Sequence, residues 1–124
     1  MILTSSDFEL LVAEALDGLP PFFQEQMENV EVLVKQWPSR RELQDAGVEA
    51  GYTLLGLYQG VPLTERTHNY GLVPPDTITL YQGPIEQEAG SLEYLAEVVQ
   101  HTVIHEFAHH FGISDDRLRE LGAY

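Results

Sequence analysis

The chain has 124 residues, a formal net charge of −14 and no cysteine. That length builds one domain, residues 1–124, which buries roughly two-thirds of the surface its unfolded chain exposes. The missing cysteines exclude disulfides and thiolate metal sites, leaving His, Asp, Glu, amides and water as the only metal donors. Twenty acids against six bases cannot provide the positive surface that phosphate backbones require, so nucleic acid is not an expected partner. The first residues have no Lys or Arg ahead of an apolar run, and no stretch approaches eighteen apolar residues. Neither export nor a membrane partner is therefore expected, and the default location is cytoplasmic.

Taken in chain order, Ser6, Asp7, Phe8 and Glu9 fit a capping box. Phe8, Leu11, Val12, Ala15 and Leu16 then recur at helical spacing, predicting a helix over 7–17 that Gly18 and Pro20-Pro21 stop. Val30, Val32 and Val34 predict a strand that ends before Trp37-Pro38. A second capping box, Ser39 to Glu42, opens a short helix that Gly47 closes. The mostly apolar run Tyr52–Tyr58 reads as a central strand, with Gln59-Gly60 turning the chain. Residues 61–76 form the longest irregular segment. Thr77 to Tyr81 alternate cleanly, as a half-buried or edge strand does. After Gly83-Pro84 a long helix is expected to start between Glu86 and Ser91 and to run to Phe111. Its apolar residues cover nearly the whole circumference, which predicts burial on most sides. Gly112 ends it, and a short helix over Arg117–Leu121 follows.

Four of the five histidines (His101, His105, His109 and His110) fall on the end of that long helix. Two histidines four residues apart differ in direction by about 40° and in height by about 6 Å, so His105 and His109 can reach one ion. Glu106, between them, is placed to serve as general base toward a metal-bound water, and zinc is the ion this pattern suits. His101 lies about 12 Å from His109 along the axis, too far for the roughly 4 Å that separates two ligands of one zinc ion. His110 points about 100° away from His109 and is assigned a packing role. The third ligand is therefore sought after the Gly112 turn, where Asp115 is preferred to Asp116 and either acid, or Ser114, can cap the last helix.

The stretch His105-Glu106-Phe107-Ala108-His109, followed by Gly112 and Asp115, resembles the metzincin type of zinc peptidase signature, with an aspartate where a third histidine usually stands. Together with Leu55 to Arg66, Ile78 to Tyr81, Gly83 to Ile85 and Arg117 to Gly122, it is similar to the minimal zincin-like metallopeptidase family. That resemblance implies an α+β fold: an N-terminal helix, a small mixed sheet of three to four strands, a long buried active-site helix and a short C-terminal helix. It also implies one Zn2+ on His105, His109 and Asp115, Glu106 as the catalytic base, and an extended peptide or protein substrate. Thr77–Tyr81 would be the edge strand beside the substrate groove; apart from the resemblance, a supplementary oxyanion stabiliser could come from His68, Tyr70 or Tyr81, which the sequence does not rank. Metzincins place a methionine-containing turn downstream, whereas the twelve residues after Gly112 contain no methionine, so weakened proteolysis is expected. The rival readings are a zinc-stabilised peptide-binding module without efficient catalysis and a zinc-dependent endoribonuclease. The latter is similar in its His-x3-His-x5 spacing but lacks the glutamate that Glu106 supplies.

Overall fold

The computed structural model describes residues 2–60 and 75–123. Among the described residues there are six helices and one three-stranded sheet: α1 (Ser5–Asp17), α2 (Pro21–Met27), β1 (Val30–Lys35), α3 (Arg40–Asp45), β2 (Gly56–Gln59), β3 (Asp76–Tyr81), α4 (Gln82–Ala89), α5 (Leu92–Phe111) and α6 (Asp115–Glu120). No helix among the described residues is long and apolar enough to cross a membrane.

Helix α1 begins earlier than its sequence signal suggests, because Thr4 and not Ser6 caps it: the Thr4 hydroxyl accepts the Asp7 N–H at 3.1 Å. Phe8, Val12 and Ala15 form its buried face, and the Gln100 side-chain amide on α5 donates to the Ala15 carbonyl at 2.8 Å. Pro20-Pro21 stops α1 but also starts α2, which pattern reading missed. Pro21 sits in the first turn, where no intrahelical acceptor awaits its missing N–H. Phe23 from α2 is fully buried and meets Phe107 edge-on at 5.8 Å between ring centroids. The box at α3 forms as expected, with Ser39 and Glu42 each bonding the other's backbone N–H, and Gly47 follows at φ 73°.

The sheet order is β1-β3-β2, with β1 parallel and β2 antiparallel to β3. This corrects two expectations. Thr77–Tyr81 lies in the centre, paired on both sides, so it cannot be the strand that borders a groove. The shorter β2 has β3 as its only strand neighbour among the described residues. Alternation misled because Thr79 fills a buried position, as do Ile78, Leu80 and Tyr81; a β-branched threonine reads as polar but packs as a core residue in a sheet. β2 also begins at Gly56 rather than Tyr52: the chain is still in turns at Gly51, where φ is 90°, and Tyr52 is exposed.

The expected long helix is α5, which opens at Leu92 with Ser91 as its N-cap and runs to Phe111, and a separate helix, α4, precedes it. α4 tolerates Pro84 because it occupies the third position, and Gly90, left-handed at φ 72°, separates α4 from α5. Gly83 is required: a Cβ there would lie 2.3 Å from Trp37 Cε2. α5 packs against α1, α4, β2 and β3 through Leu95, Val99, Thr102, Val103, Ile104, Phe107 and Ala108. It is thus buried along a broad stripe and not around its circumference. His101, His105, His109 and His110 all lie on the exposed remainder.

Candidate metal centre

The end of α5 and the start of α6 create the site. Gly112 adopts the left-handed conformation (φ 67°, ψ 30°), and its N–H bonds the Ala108 carbonyl. The Ile113 N–H joins it on the same carbonyl at 2.8 Å. These bonds satisfy the helix end and reverse the chain, as a C′ glycine does. Ser114 then caps α6 by accepting the Arg117 N–H at 3.2 Å, which places Asp115 in the first helical position.

The result is a shallow pocket of about 290 Å3 lined by His105, Glu106, His109 and Asp115, with Ala108, Ile113 and Leu118 as its apolar part. All four residues singled out by the motif therefore line one pocket. Among the described residues, no three His, Asp or Glu side chains converge closely enough to form a ready-made metal cage. The donor set nevertheless fits a borderline divalent ion, since two imidazoles and a carboxylate are acceptable zinc ligands. His105, His109 and Asp115 are all exposed, so the rotamer changes that would gather them meet little packing resistance.

The neighbouring candidates separate. Asp116 is engaged by the Arg119 guanidinium at 3.2 Å. His110 lies over the Tyr58 ring, 4.4 Å between centroids, in the packing role expected of it. His101 sits one turn before His105, with ring centroids 5.6 Å apart, and lines a different depression. Tyr81 is fully buried and its hydroxyl donates to the Glu42 carboxylate, so that hydroxyl already has an acceptor. His68 and Tyr70 lie outside the described residues.

Glu106 is half-buried, and this desolvation raises its pKa above the ordinary carboxylate value. The nearby His109 charge and a hydrogen bond from the Tyr58 backbone oppose the rise. One neighbour of its side chain is β2. A Cβ on Gly56 would lie 2.8 Å from Thr102 Cγ2, 3.2 Å from the Thr79 carbonyl and 3.5 Å from Glu106 Cγ. Only glycine lets α5 approach the sheet this closely. Sequence reading missed this contribution of Gly56 and Tyr58, although a lone glycine inside an apolar strand is a recognised signal of close backbone approach.

No curated protein matches the chain. The family model described as Zincin-like metallopeptidase matches residues 27–123, from the last residue of α2 past the end of α6. That family suggests zinc binding and, in general, zinc-dependent peptidase activity. With the strand–helix framework and the histidine-bearing helix end both inside the matched span, the chain belongs to the zincin-like metallopeptidase family.

Proposed function

We propose that the chain hydrolyses peptide bonds, with zinc held by His105, His109 and Asp115 and with Glu106 as general base. The observation that carries this reading is the single pocket lined by all four side chains. When bound, zinc supplies Lewis-acid polarisation of the scissile carbonyl and of the attacking water. Glu106 takes a proton from that water at its carboxylate and delivers it to the departing amine nitrogen as the C–N bond breaks. Burial serves this task, because a carboxylate of raised pKa is a stronger base and, once protonated, is still able to give the proton up. The Tyr58 backbone contact holds the carboxylate while leaving it less satisfied than a fully hydrogen-bonded acid. An extended peptide is the substrate proposed, lying along the open side of α5 beside β2.

Metal analysis of the purified protein is expected to find one zinc per chain, lost in His105→Ala and weakened at least ten-fold in Asp115→Asn, in line with loss of one ligand. Asp116→Asn should bind zinc as the parent does, because its carboxylate is engaged by Arg119. Unchanged metal content in His105→Ala would overturn the assignment. Zinc binding without hydrolysis of any peptide would instead favour the zinc-stabilised binding module.

A further inference from the structure

Next to the candidate centre, toward the start of α5, a second depression of about 360 Å3 shares His105 and Glu106 with it. Its apolar wall is Leu55, Val98 and Thr102. Thr102 is buried and turns its hydroxyl onto the Val98 carbonyl at 2.7 Å, so that polar group is satisfied within the helix. Glu88 from α4 and Glu97 from α5 complete the depression, and both are exposed. Among the described residues, no Lys or Arg pairs with either carboxylate.

This combination of a half-buried apolar wall and two carboxylates at the solvent side has one well-matched occupant. The aliphatic stem of a lysine or arginine covers apolar surface while its charged head stays at the water boundary, where a carboxylate can receive it. An acidic side chain would meet two like charges there, and an apolar one would leave them unanswered. His101 is a further polar group of the depression. The shared His105 and Glu106 put the occupant beside the reacting bond.

We infer that this depression is a specificity pocket for a lysine or arginine adjoining the scissile bond, with Glu88 and Glu97 receiving the charged head. The inference rests on the peptidase reading for its place in the reaction, but binding can be measured without turnover. Zinc-loaded Glu106→Gln protein is titrated with fluorescent extended peptides that differ at one central position: lysine, its uncharged counterpart norleucine, or glutamate. At 0.15 M salt the lysine peptide should bind about ten-fold more tightly than the norleucine peptide, a difference appropriate to a partly desolvated charge pair. Replacing Glu88 and Glu97 together by glutamine should reduce that preference to below about three-fold. A control carrying Glu9→Gln and Glu31→Gln loses the same charge on α1 and β1, outside the pocket, and should keep the preference. Equal binding of lysine and norleucine peptides, no measurable binding of the lysine peptide, or equal losses in the control and pocket variants would each overturn the inference. The last outcome would assign the effect to the overall charge of −14. Cleavage mapping with the parent protein separates the two readings. Cuts without a flanking basic residue would sink the pocket assignment and leave the peptidase standing, whereas lysine-selective binding with no cleavage would do the reverse.

Discussion

Two glutamates, one on α3 and one on α5, show how one side chain is put to different uses. Glu42, on α3, accepts from the Tyr81 hydroxyl, the Ser39 backbone N–H and the Lys35 ammonium, and these contacts, led by Tyr81, hold its pKa down to about 2. Glu106, on α5, has one backbone donor and a dry wall, and its pKa rises. Each environment has a cost and a use. A carboxylate surrounded by donors is a good brace and a poor base, whereas a desolvated one is costly to the fold and useful for taking a proton. Tyr81 registers both: burial raises its own pKa first, then the Glu42 hydrogen bond and charge, then the charge of Glu106.

Removing each carboxylate should therefore give opposite results. Glu106→Gln is expected to lower peptide turnover by about 10²- to 10⁴-fold, the usual contribution of a positioned base. Zinc content should be retained, and the metal-free variant should melt no lower than the parent. A loss of melting temperature together with activity would mean that Glu106 is a brace like Glu42. Gly56→Ala tests the dry wall. Its Cβ would collide with Thr102 and the Thr79 carbonyl, so denaturant unfolding should show a cost of about 1–3 kcal/mol, with turnover falling further than stability alone explains.

Glu42→Gln should destabilise by about 1–2 kcal/mol, since it removes the charge from three hydrogen bonds at a partly exposed site. The pH dependence carries the sign. A folded pKa lowered from 4.5 to about 2 means that the stabilisation is complete above pH 4.5 and is lost as pH falls through that window. Stability of the parent should thus decline between pH 4.5 and 2 more steeply than that of Glu42→Gln. The raised pKa of Tyr81 predicts a second decline as pH rises above 10, absent in Tyr81→Phe. Ser39→Ala gives the smallest effect, about 1 kcal/mol for a lost cap. A thermal shift larger than that of Glu42→Gln would reverse the order of importance within the box.

The legible parts of the molecule were those in which cause and effect lie close in sequence. The Ser39–Glu42 box, the Val30–Lys35 strand and the His105–Asp115 segment each act within a few residues, and each emerged as read or, for the last, lines one pocket. What misled depends on contacts across the chain. The centrality of Thr77–Tyr81 is decided by β1 and β2 on either side, and the open face carrying the histidines is decided by which side of α5 meets α1 and the sheet. Punctuation was also read too simply. Pro20-Pro21 ends one helix and begins another, and the third position of α4 accepts Pro84, because the first turn of a helix does not use those N–H groups.

The close approach at Gly56 has a consequence for how this site can change over time. The groups proposed to hold the ion come from a short contiguous segment at the junction of α5 and α6, whereas β2, which packs against Glu106, lies far upstream in the chain. On the proposed reading, affinity for the ion and strength of the base would thus be set by separate parts of the chain. On the proposed reading, substitutions along β2 would alter the base while the ion's donors stay untouched, a short mutational path between the peptidase and the binding module.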